Sequence, residues 1–235
     1  MWLAVFPLRE RLAWAWWAFL VSGVVGFASF LAYIGYGYLD VWHGVASLAL
    51  LPCFAVGLVV SRSRCHRPSR RTFKFHSTNA YVVGKACLLS VSLGAMGAGL
   101  VILTVGMTAV FVPQDLEFMA VSTAELDALN PRLIPLIAHD RAGFGGALVA
   151  AGSAASLCVW FGRPTRSLWQ ALTLAGMAGF GPAIWVHFAI GYTDPLHLSP
   201  ALAGAAIYAA GLALTYRPMV RGSTSPDNEP RGLYD

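Results

Sequence analysis

Six stretches of the chain contain no Asp, Glu, Lys or Arg: residues 12–39, 41–61, 86–114, 142–162, 167–193 and 195–216. Each is at least as long as the roughly 20 residues that an α-helix, rising about 1.5 Å per residue, needs to cross the hydrocarbon core of a bilayer. A soluble helix of that length carries a polar face, and none of these stretches has one. Only 11% of the 235 residues are charged and 57% are hydrophobic, whereas a soluble domain carries about 25% charged residues. The expected fold class is an all-α membrane protein with six transmembrane helices, at about 12–37, 41–61, 80–112, 142–161, 168–191 and 196–216. The first apolar run exceeds the ~7–15-residue core of a secretory signal and no clear cleavage site follows, so it is read as a retained span.

Charge orients the spans. The connection 62–78 holds Arg62, Arg64, Arg67, Arg70, Arg71 and Lys74 and no acid. Arg9 and Arg11 precede the first span, Arg163 and Arg166 join the fourth to the fifth, and Arg217, Arg221 and Arg231 follow the sixth. Alternate threading puts all of these on one side, which the positive-inside rule makes cytoplasmic. The other side receives Asp40, Asp115, Glu117, Glu125, Asp127, Asp140 and Asp194, with only Arg132 and Arg141. The expectation is a bacterial-type inner (plasma) membrane protein, N-in and C-in. The net charge of +5 then needs no nucleic acid to explain it. The basic loop can also attract anionic lipid headgroups. Cys53, Cys87 and Cys158 fall in spans and Cys65 in the basic loop, so no structural disulfide is expected.

The transmembrane domain is expected over residues 1–221, with an outer subdomain at 113–141 and a disordered cytoplasmic tail at 222–235. Within 113–141, Ser122 with Glu125 three residues later has the pattern of a capping box, predicting a short helix from about Thr123 to Leu129. Asn130-Pro131 ends it. The run RLIPLIA then reads as an apolar segment lying on the outer membrane surface and delivering His139-Asp140-Arg141 to the start of the fourth span. Glycines in LGAMGAGL and RAGFGGALVAAG suit close helix packing, within the chain or against other membrane subunits.

An internal repeat is also readable. SGVVGF at 22–27 matches AGMAGF at 175–180, and each is followed by a Gly-Tyr-x-Asp-x-x-His pattern: Gly37, Tyr38, Asp40 and His43, then Gly191, Tyr192, Asp194 and His197. The first and fifth spans run the same way, so this is a parallel repeat of spans 1–2 and 5–6. The second copy is preceded by a span opening with HDRAGFGG, and the first copy lacks its counterpart upstream of Met1, which is expected either to have been lost by the ancestor or to be cut off by a start codon called late.

Four histidines fall on the outer side: His43, His139, His187 and His197. His187 lies one helical turn inside the outer end of the fifth span, and an ionisable group there is by default a functional candidate. The last three spans are sequential, so His139, His187 and His197 can converge. Three imidazoles with a carboxylate suit Zn, Cu or non-haem Fe, and two suit a haem iron. The expected site has these three as metal ligands, with Asp140, Asp194, Arg141 and Tyr192 orienting them and Asp40 with His43 as the repeat-equivalent pair. Such a centre would serve redox or hydrolytic chemistry on a lipid-soluble or extracytoplasmic substrate. A structural reading competes with it. Asp40 and Asp194 make good N-caps, and duplication alone would repeat them. The same residues then belong to a non-enzymatic accessory or scaffold subunit. A small-solute carrier is the third reading, resting on the repeat alone. No P-loop, dinucleotide fingerprint, GxSxG or HExxH is present.

Overall fold

A computed structural model describes residues 13–32, 41–62 and 79–221. Among the described residues every element is helical. They are α1 (Ala13–Ala32), α2 (Val41–Arg62), α3 (Asn79–Met107), α4 (Pro113–Met119), α5 (Thr123–Leu129), α6 (Leu133–Phe161), α7 (Arg166–Ile190) and α8 (Pro195–Tyr216), followed by a π-helical turn, Arg217–Arg221. Four apolar stretches are long enough to cross a membrane: Asn79–Met107, Leu133–Phe161, Arg166–Ile190 and Pro195–Arg221. α1 and α2 contribute the shorter apolar stretches Ala13–Ser29 and Ser47–Arg62. Large apolar side chains stand exposed along these helices, among them Val101, Trp160, Leu174 and Trp185. Water would penalise that surface and lipid would not. The chain is a helical, multi-pass membrane protein.

Several sequence expectations lie outside the described residues: the N-terminal arginines, most of the basic loop with Cys65, the tail, and Gly37, Tyr38 and Asp40 of the first repeat copy. Of His43, only its backbone in α2 is described.

The chain divides into two compact units. The first comprises residues 1–70 and 92–157, the second 71–91 and 158–235. In the first, α1 packs on α2 through Phe54, whose ring lies 5.1 Å from that of Phe19 and 5.3 Å from that of Phe27. The Trp16 indole donates to the Leu58 carbonyl at 3.1 Å. α3 meets α6 backbone to backbone. A Cβ added at Gly99 would come within 2.6 Å of the Gly145 oxygen, and one at Gly145 within 2.6 Å of the Leu103 nitrogen. Small residues at such crossings give the contact that lipid cannot drive hydrophobically.

The connection between α3 and α6 is itself helical. α3 ends at Met107, and an additional short helix, α4, follows it. RLIPLIA is continuous with the helix that follows it: α6 begins at Leu133 and runs through His139-Asp140-Arg141 without a break. At 29 residues it is about 44 Å long, well beyond the ~30 Å hydrocarbon core. The polar triplet did not stop the helix because two of its members find partners nearby and the third, Asp140, is exposed. Val110, Phe111, Leu126 and Ala138 form a buried cluster that fastens α4 and α5 to this start of α6. α5 occupies Thr123–Leu129, as Ser122 and Glu125 indicate.

In the second unit, α7 and α8 run antiparallel in a regular register. The Trp169 indole donates to the Leu212 carbonyl at 2.9 Å, and the Tyr208 hydroxyl to the Leu172 carbonyl at 2.7 Å. Phe180 then meets Gly204 and Tyr208. α3 enters this unit at Gly84, where an added Cβ would lie 3.0 Å from the Gly211 oxygen. Lys85 donates to the Trp160 carbonyl at 3.0 Å, placing a cation at the C-terminal end of α6.

Candidate functional site

The polar residues singled out in the sequence fall into two groups, one in each unit. In the first unit, Arg141 donates to Asp115 at 2.6 Å, linking α6 to α4. The same carboxylate oxygen accepts from the Val112 backbone N–H at 3.0 Å, capping α4. The guanidinium lies 5.6 Å from the centre of the Phe111 ring, within cation–π range. Asp115 is 7% exposed at its side chain, so this is a largely desolvated pair. His139 is buried and its Nδ1 lies 2.8 Å from Asp140. This group ties α4 to α6. Sequence reasoning had placed Asp115 only among the outer acids. Its signal was its position three residues after Val112, at a helix start opened by Pro113.

The second group ends the α7–α8 register. After the pairs at 169 and 212, 172 and 208, and 180 and 204, the next step brings His187 to His197. Their ring centroids are 5.2 Å apart. Tyr192 packs against both, 4.6 Å from His197 and 6.0 Å from His187, nearly parallel to the latter at 27°. Local sequence makes this possible. Gly191 adopts φ 76°, closing α7 in the left-handed conformation that glycine takes without cost. Asp194 then caps α8, accepting from the His197 N–H at 2.8 Å. The turn 188–198 carries Asp194 as its one charged residue.

The hydrogen bonds define what these rings offer. His187 Nδ1 lies 2.6 Å from the Ala183 carbonyl, and a carbonyl only accepts, so Nδ1 carries the proton. In the neutral ring Nε2 is then an acceptor. Tyr192 and His197 meet at 3.5 Å between hydroxyl and Nδ1. The cluster therefore presents one imidazole acceptor, one phenol and flat ring faces.

Among the described residues, no three His, Cys, Asp or Glu side chains are grouped so as to hold an ion. His139 belongs to the first unit, while His187 and His197 belong to the second. The orienting residues likewise divide: Asp140 and Arg141 serve the first group, Tyr192 and Asp194 the second.

Below the cluster, the second unit contains an open cavity of about 410 Å³ along α7 and α8. Its walls include Gly176, Phe180, Gly181, Trp185, Ala205 and Tyr208. Pockets that bind small molecules span about 300–1,000 Å³ and are lined mainly by apolar and aromatic side chains with a few polar groups. Nothing in the sequence alone pointed to this cavity, because it depends on the register of two helices. No protein-family model, curated protein or solved structure matches the chain.

Proposed function

We propose that this chain is a six-span protein of a bacterial-type inner membrane, with both termini cytoplasmic, that binds a small molecule at its extracytoplasmic edge through His187, Tyr192 and His197. One observation carries the reading. The α7–α8 pair, apolar along its length, ends in two imidazoles and a phenol in mutual ring contact. An ionisable side chain within a membrane helix is by default a functional candidate, and His187 lies inside α7, one turn before its end. Capping accounts for Asp194 but not for these three rings. The groups present suit an organic molecule held by hydrogen bonds and stacking. The first group, with its Asp115–Arg141 pair, acts as a structural tie.

A second reading keeps some support: an accessory subunit that packs through glycine faces. Gly94 and Gly97 of α3 face open space, whereas Gly99 is consumed by the contact with α6. Such faces admit a partner helix.

The test is to purify the wild-type protein and a His187→Ala variant in mild detergent, then compare their organic extracts by mass spectrometry and their metal content. A compound near one per chain in the wild type, depleted in the variant, supports the proposal. Identical extracts overturn it in favour of the accessory subunit, and one metal per chain lost with His187 overturns the organic-ligand reading.

A further inference from the structure

We infer that the ring cluster and the apolar cavity form one seat, made for an isoprenoid phenol of the quinol class. The inference rests on the proposed outer-edge site and names its ligand. Helical spacing joins the two features. On α7, Gly176, Phe180, Ile184 and His187 follow at steps of four, four and three, and so share a face. On α8, His197, Ala201, Ala205 and Tyr208 follow at the same steps. Gly176, Phe180, Ile184, Ala205 and Tyr208 line the cavity, and the two histidines head those stripes with ring centroids 5.2 Å apart. From ring cluster to the level of Gly176 and Tyr208 is eleven residues on each helix, or about 17 Å. That is a tail's length, roughly half the ~30 Å hydrocarbon core.

The occupant's chemistry follows from the donors and charges. The cavity is lined by no charged side chain, and Asp194 is the one charge in the turn above it, so the seat disfavours an anionic phospholipid headgroup. His187, with Nδ1 spent on Ala183, offers an acceptor to a ligand hydroxyl. Tyr192 offers a ring face beside both imidazoles. Three flat rings offer stacking surfaces to a fourth. A hydroxyl-bearing ring on an apolar tail satisfies each of these groups, and an acyl chain with a charged head does not.

Binding is read by native mass spectrometry of the detergent-solubilised full chain, under reducing conditions, with three probes. They are a geranyl-substituted 1,4-benzoquinol, the same quinol without its tail, and squalene, which has a tail but no head. Gly181→Leu fills the cavity, and no atom lies within 4 Å of a Cβ built there. Ala205→Leu fills it from α8, and His187→Phe keeps a ring while removing the acceptor. Retained melting temperatures show that each variant is folded. The expected result is binding of the geranyl quinol to the wild type, weakened roughly tenfold or more by each variant, with both partial probes binding far more weakly. If the tail-less quinol binds as well as the geranyl quinol and neither cavity variant matters, the tail seat is wrong while the outer-edge site stands. If squalene binds as well and His187→Phe changes nothing, the head is wrong and the outer-edge site falls with it. Failure of all three probes to bind overturns the assignment of ligand class.

Discussion

Arg141 and Asp115 meet at 2.6 Å although they lie twenty-six positions apart, and the pair holds α4 onto α6. Removing one member of a buried pair strands the other. Arg141→Leu is expected to cost about 3 kcal/mol, and the double variant with Asp115→Leu to recover part of that loss. Chemical denaturation of the four proteins in a double-mutant cycle measures it. Equal, additive losses would show the two residues acting independently.

The α3–α6 crossing separates glycines by what surrounds them. Gly99→Val is expected to destabilise by more than about 2 kcal/mol, because its Cβ would meet the Gly145 oxygen at 2.6 Å and no nearby backbone can yield. Gly94→Val, five residues earlier on the same helix, meets no atom within 4 Å and is expected to be tolerated. Thermal inactivation of the purified variants in one detergent distinguishes them.

Glu125 is the pH-sensitive cap. Its hydrogen bonds from the Ser122 backbone and hydroxyl hold its carboxyl below the ordinary value of 4.5. A group lowered on folding contributes stability above its unfolded value and loses it as pH falls through the folded one. α5 is therefore expected to keep its amide protection at neutral pH and lose it below about pH 4.5. Glu125→Gln should flatten that dependence. Hydrogen exchange across Thr123–Leu129, measured from pH 7 downward, checks both.

Asp194 and His197 part the structural role from the binding role. Asp194→Ala removes an N-cap and is expected to cost α8 about 1 kcal/mol, whereas Asp194→Ser should restore most of it. His197→Phe keeps the ring contacts with Tyr192 and His187 and should leave stability nearly unchanged while lowering ligand retention. Melting temperature and ligand content, read on the same preparations, separate the two effects.

Local signals were legible and long-range register was not. Uncharged stretches indicated the apolar helices because a span must exclude charge over its own length. Ser122 and Glu125 announced α5 because a capping box is a three-residue event. α6 begins nine residues before its uncharged stretch at 142–162, and the pairing of Arg141 with Asp115 that accommodates this is a contact between distant residues. α4 went unread because its seven residues are fastened by contacts from α6. The grouping of His187 with Tyr192 and His197 follows from one short turn. The addition of His139 required a helix-to-helix placement that no spacing encodes, and the metal set built on it has no counterpart among the described residues.

The central claim is that the His187–Tyr192–His197 cluster lies at the extracytoplasmic edge of the membrane. Thr193 is exposed in the turn beside it. A Thr193→Cys variant treated in intact cells with a membrane-impermeant maleimide tests the claim, with native Cys65 of the basic loop as the internal comparison. Labelling at position 193 in intact cells, with Cys65 reached only after the membrane is permeabilised, is the expected result. Labelling of Cys65 in intact cells, with position 193 protected until permeabilisation, would contradict it.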